Sequence, residues 1–270
     1  MRTRLFLFFI GLIAMQSTIA CDICACGIGG NFSGITPNYS KNTLGFKYQN
    51  QKSNFIDNPL NFNGLSQVES DTYHKTDFYY RYFPSKKVQL LFVAPFQLNT
   101  RTESLRSSSI QGIGDISTSA DYIIVNTGDS MMIKNKHTWS LGGGAKLPTG
   151  KYQQRDESKA LLPYLFQIGT GAFGVSGRSI YTYRRNNFGI NADVLFQHNF
   201  ENERGYQLGN QLSSSLGVFY LFKGIQWSCL PAVGLGFDHL SNTTLYDVNN
   251  PYIGGNSVSA QVNFDVFYRR

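Results

Sequence analysis

Ser257-Val258-Ser259-Ala260-Gln261-Val262-Asn263-Phe264-Asp265-Val266-Phe267-Tyr268 alternates with a period of two. Val258, Ala260, Val262, Phe264, Val266 and Tyr268 share one face, and Ser257, Ser259, Gln261, Asn263 and Asp265 share the other. Roughly ten residues in this rhythm make a strand that crosses an outer membrane, apolar toward lipid and polar toward a lumen. The stretch sits at the C-terminus and ends in aromatics, where a barrel must be closed. The same rhythm recurs upstream. It predicts an all-β fold, a closed antiparallel transmembrane β-barrel of about 10–12 strands.

Working back from the C-terminus, ten strands are expected, over 43–49, 73–83, 88–98, 115–125, 137–147, 173–183, 188–200, 212–222, 225–239 and 257–268. Val88, Leu90, Phe92, Ala94, Phe96 and Leu98 share one side of the third, and Trp139, Leu141, Gly143, Ala145 and Leu147 one side of the fifth. Connections alternate in length. Pro84-Ser85-Lys86, Arg185-Asn186-Asn187, Lys223-Gly224 and the stretch around Gly128-Asp129 are short. Asn50–Asp71, Thr100–Gly114, Pro148–Thr170, Glu201–Gln211 and Leu240–Asn256 are long. Short periplasmic turns and long outer loops are the habit of such barrels. Aromatics gather beside the short turns: Tyr79, Tyr80, Tyr82 and Phe83, then Tyr181 and Tyr183, Tyr220 and Phe222, Phe267 and Tyr268. This reads as a headgroup-level girdle. A soluble sandwich also alternates, but does not need outward aromatics on nearly every strand.

Composition agrees. Charged residues are 15% and aromatics 14% of the chain, with 27 glycines. A soluble domain carries about 25% charge. At the N-terminus Arg2 and Arg4 precede the apolar run Leu5–Ala14 and a small-residue site at Thr18-Ile19-Ala20. Residues 1–20 are read as a cleaved signal peptide, since the run is too short to span a membrane. Residues 21–41 are read as a Cys/Gly-rich periplasmic segment, and 42–270 as the barrel. Removing Arg2 and Arg4 from 24 basic residues leaves 22 against 17 acids. That excess is spread along the chain, with no basic stripe for a nucleic acid.

Cys21, Cys24 and Cys26 admit three readings: a lipidated Cys21, a thiolate site for Cu or Zn, or a disulfide in an oxidising periplasm. A glycine-rich tether follows them, so a periplasmic partner could reach the cluster. Cys229 reads as a small lipid-facing hydrophobe. His198 and His239, with Asp238 and Ser241 near by, raise a weak third reading, a lipid-modifying enzyme. Proximity in sequence is all that supports it, and the chain is read as a non-enzyme without a cofactor. Inward parity gives Lys47, Asp77, Arg81, Asp121, Lys146, Arg178, Asp193 and Asp265 as lumen-lining residues. Charges in a narrow lumen must be paired or hydrated, so such a set is either a structural ladder or a constriction that selects a solute.

Two short motifs lie at strand ends. Gly112-Ile113-Gly114-Asp115 opens the fourth strand, and Lys146-Leu147-Pro148-Thr149-Gly150-Lys151 closes the fifth. Gly and Pro there end strand pairing and turn the chain at the rim. A G-x-G-D strand start followed by a strand ending in LPTG resembles the outer-membrane transporters grouped as the phenol meta-pathway family. The resemblance implies a β-barrel transporter for hydrophobic or aromatic solutes and carries over no catalytic residue. The cysteine-rich start is not part of that pattern. The expectation is a narrow channel or transporter for a small solute, in contact with lipid in the outer membrane of a Gram-negative bacterium. The alternative is a structural or interaction barrel that works through its outer loops.

Overall fold

The computed structural model describes residues 42–56, 68–102, 107–127, 134–155, 159, 161–224, 227–250 and 254–268. The predicted signal peptide and the segment with Cys21, Cys24 and Cys26 lie outside the described residues. The strands are β1 (Thr43–Ile56), β2 (Val68–Ser85), β3 (Val88–Thr102), β4 (Ser107–Ile113), β5 (Ile116–Asn126), β6 (Asn135–Leu147), β7 (Gly174–Arg185), β8 (Phe188–Asn199), β9 (Tyr206–Gln207), β10 (Gln211–Tyr220), β11 (Phe222–Lys223), β12 (Trp227–Leu240), β13 (Thr243–Leu245), β14 (Val248–Asn250) and β15 (Gly255–Tyr268). One 3-10 turn, Tyr164–Phe166, interrupts the longest connection.

Twelve of these strands form one antiparallel sheet in which each arm pairs with its neighbours in sequence. The arms number ten among the described residues, because β4 with β5, and β10 with β11, each act as one. β3 pairs with β5 through Val88–Val93 and with β4 through Phe96–Thr102. Between them sits Pro95, which has no N–H for a ladder, and its carbonyl accepts from Gly114 N at 2.8 Å. The chain therefore breaks at Gly114-Asp115 without leaving the sheet.

Parity explains the rest. On β8, Gly189, Asn191, Asp193, Leu195, Gln197 and Asn199 are buried or nearly so, while Ile190, Val194 and Phe196 are exposed. On this inner face Asp121 and Arg184 are 2% and 1% exposed. A single sheet buries one face only by curling on itself. The outer face carries the large apolar side chains, among them Phe78, Phe92, Leu141, Leu216 and Leu235. β1 and β15 stand at the two ends of the strand order, and no pairing between them is among the described ones.

Three expectations change. The predicted loop over 100–114 is mostly strand: β3 runs on to Thr102 and β4 starts at Ser107, so a tall hairpin stands there. β1 and β2 likewise extend their pairing to Ile56 and Val68. Tyr79 does not belong with the outward aromatics. It lies over Gly45 on the face of Asp77 and Arg81, so that a Cβ at Gly45 would meet its hydroxyl at 2.4 Å. Tyr80 and Tyr82 do face outward and stack at 6.2 Å, and Tyr220 packs on Phe222 at 4.7 Å. Cys229 is half-exposed, with Trp227 and Val233 exposed on either side.

Candidate functional site

The buried face holds ionised side chains that need partners, and the strand order supplies them. Asp121 on β5 and Arg178 on β7 stand opposite the same residue of β6, Gly142. The Arg178 guanidinium crosses β6 to reach Asp121, with Nε donating to Oδ1 at 3.3 Å and Nη2 donating to Oδ2. Gln89 Nε2 donates to the same Oδ2 at 2.9 Å. A buried carboxylate held by a guanidinium and an amide is a satisfied network. Asp193 on β8 accepts from the Ser215 hydroxyl of β10. Lys75 pairs with Asp77 at 3.3 Å, and Arg81 is buried beyond it. The backbones of Lys47 and Asp265 lie on β1 and β15, and their side chains are outside the described set.

Toward the short turns the same face becomes apolar. Phe219, Leu221, Leu230 and Ala232 form one buried cluster. Leu221 N donates to Asn187 O at 2.7 Å, which fixes the cluster beside the β7–β8 turn. Toward the long loops, the connection from Pro148 to Phe173 folds inward and covers the face. Phe166 is fully buried and packs edge-on against Tyr73 at 6.2 Å. The Arg101 guanidinium lies 5.2 Å above the Phe166 ring while holding Asp71 through two bonds of 2.7 and 2.6 Å. Asn99 Nδ2 donates to Phe166 O at 2.8 Å. Leu165 packs at the other side, with Leu208 and Leu240. The loop thus bridges from β2 and β3 to β12.

Both ends of this loop are tied to one place. Asp115 Oδ1 accepts from Gly150 N at 3.0 Å. Its Oδ2 accepts from Thr170 N at 2.9 Å and from Thr170 Oγ1 at 2.6 Å. Thr149 Oγ1 donates to Gly114 O at 2.9 Å and accepts from Ile116 N at 2.9 Å. Backbones meet where these bonds form: a Cβ on Gly150 would lie 2.7 Å from Gly169 Cα and 3.0 Å from Gly114 Cα. The G-x-G-D and LPTG motifs are therefore two halves of one clasp. Read from sequence as rim turns, they carry the further duty of holding the loop inside.

Under the loop is a cavity of about 90 Å³, lined by Val93, Pro95, Leu165 and Ile168 and by the polar ends of Lys75, Lys146 and Asp115. Lys146 Nζ donates to Asn199 Oδ1 at 2.9 Å and to Thr170 Oγ1 at 3.1 Å. Tyr164 of the loop stacks on Tyr206 at 4.1 Å and closes one side. Burial pushes the Tyr206 phenol above the ordinary tyrosine range. Of the residues expected to face inward, Asp77, Lys146 and the neighbouring Lys75 meet at this cavity. Asp121 and Arg178 meet each other lower on the face. Asp115, Phe166 and Thr170 were not among the expected site residues. The apolar run Leu161-Leu162, Leu165-Phe166 and Ile168 inside a supposed outer loop is the signal that marks them.

The family described as "Putative MetA-pathway of phenol degradation" matches residues 49–268. The chain belongs to this family. Among solved structures, an outer membrane channel from Pseudomonas putida F1 is similar over 81% of this chain and 79% of that one, with a TM-score of 0.56 and 14% identity. At that identity the likeness concerns the fold. No curated protein matches the chain.

Proposed function

We propose that the chain is an outer-membrane β-barrel that conducts a small solute along the buried face of its sheet. The observation that carries this is the cavity between the face and the clasped loop. A loop that served only as an outer surface would not be drawn in by the clasp hydrogen bonds and the packing of Leu165 and Phe166 to shield a space lined with both lysines and apolar side chains. In this reading β1 meets β15 to close the barrel. Asp77, Arg81, Asp121, Lys146, Arg178 and Asp193, with Lys47 and Asp265, line the lumen. The outer apolar band contacts lipid, residues 1–20 direct export in a Gram-negative cell, and residues 21–41 stay on the periplasmic side. The family description and the channel from Pseudomonas putida F1 support a channel, and the former favours an aromatic solute. Conduction would be narrow, because paired charges and an apolar cluster occupy much of the interior.

That apolar cluster also favours a second reading. Phe219, Leu221 and Leu230 are buried on the inner face at the short-turn end. A barrel sealed there would act through its outer loops. Planar-bilayer conductance of the purified protein separates the two. Discrete conductance steps support the channel, whereas their absence at any voltage supports the interaction barrel. Faster migration of unheated than heated protein on a gel tests closure itself.

A further inference from the structure

Lys146 differs from three other cations of the buried face. Lys75 has Asp77, Arg101 has Asp71 and Arg178 has Asp121. The Lys146 ammonium has three N–H groups, and the two bonds it makes go to neutral oxygens, of Asn199 and Thr170. Asp115, which also lines the cavity, is engaged on both oxygens by Gly150 and Thr170. Among the described residues no carboxylate lies within ion-pair distance of Lys146. A sheltered ammonium without an anionic contact is costly, and the cost falls when an anion arrives. Of the two acids at the cavity, Asp115 has donors on both oxygens and Asp77 faces the Lys75 ammonium at 3.3 Å, so each already has a positive or donating neighbour within the protein.

We propose that this cavity is a binding site for a small organic monoanion. Its carboxylate accepts the third N–H of Lys146, and its apolar body lies on Val93, Pro95, Leu165 and Ile168. The inference deepens the channel reading, since it takes the cavity to be open to solute. A lysine is a point charge rather than a two-pronged fork, and suits one carboxylate oxygen. A dianion such as phosphate would bring its second charge toward Asp77 and Asp115, and the other cation there, Lys75, is already paired with Asp77. A neutral aromatic of the same shape would make the apolar contacts and leave the ammonium as it is.

The test is calorimetric titration of the full chain in detergent with benzoate and with benzamide, its neutral isostere. The wild-type protein should bind benzoate at least about tenfold more tightly, as a charge-assisted bond implies. Lys146→Gln, which retains a donor for Asn199, should remove the difference, and Lys146→Arg should keep most of it. Equal affinity for both compounds, no binding of benzoate, or a benzoate preference that survives Lys146→Gln overturns the assignment. The wild-type comparison stands even if the glutamine variant does not fold. Bilayer conductance fails or succeeds independently of this equilibrium, so loss of the channel reading would be seen separately.

Discussion

Asp121 and Arg178 meet across an intervening strand, directly over Gly142. The glycine is required by distance: a Cβ there would fall 2.0 Å from Asp121 Oδ1 and 2.5 Å from Ala120 O. Three glycines in a row weaken a strand by entropy. Here Gly142 opens a saddle through which β5 and β7 are joined electrostatically.

Gly142→Ala should therefore separate a buried pair whose members keep their charges, at a cost of about 3 kcal/mol. The measurement is the urea midpoint of the detergent-folded protein. Asp121→Asn combined with Arg178→Gln should lose less than either single change, because neither leaves an orphan charge. A double loss equal to the sum of the two single losses would show that the two residues do not act as a pair.

Asp115→Asn replaces an acceptor of three loop bonds by an amide that can accept at only one oxygen. The loop should loosen, and single-channel conductance should rise. A cysteine at Gln167, buried at 5% exposure, should label with maleimide several-fold faster once Asp115 is changed. Unaltered labelling would mean that the clasp does not hold the loop.

Gly169→Val tests the same clasp from its backbone. The added side chain would collide with Gly150, whose carbonyl oxygen lies 2.5 Å from the Cβ position. Its effect on labelling should match that of Asp115→Asn, and the two together should add little to either alone, since both release one contact. Additive effects would point to two separate restraints.

Phe219→Ala removes the largest side chain of the apolar cluster near the short turns. Cavity formation should cost about 3–5 kcal/mol. Conductance should increase if this cluster limits the path. An unchanged conductance in a folded variant would place the narrowest point elsewhere, beneath the clasped loop.

Strand parity was legible because a period of two assigns every side chain to a face, and Asp77, Asp121, Arg178 and Asp193 are buried. Tyr79 was misplaced by following aromatic clustering instead of that parity. Strand height was underread at Thr100–Thr102 and Ser107–Ser109, where hairpin arms pair through their backbones and the small polar side chains show no apolar alternation. The loop after β6 was judged by length, and length does not report burial. Its partners, Tyr73, Asn99 and Leu240, are distant in sequence, so nothing local shows that they receive it.

The clasp also decides where foreign sequence can be placed. The stretch 148–173 separates two sheet arms by the greatest visible length, which would recommend it for displaying an epitope or tag. Its ends are sewn to Gly114 and Asp115, and Leu162 and Phe166 to Gly169 are buried, so an insertion into that half would displace the interior. The tip between β13 and β14 is the better host. Tyr246 and Asp247 turn there with φ of 50° and 61°, and both side chains face outward. The shorter link is the one with room.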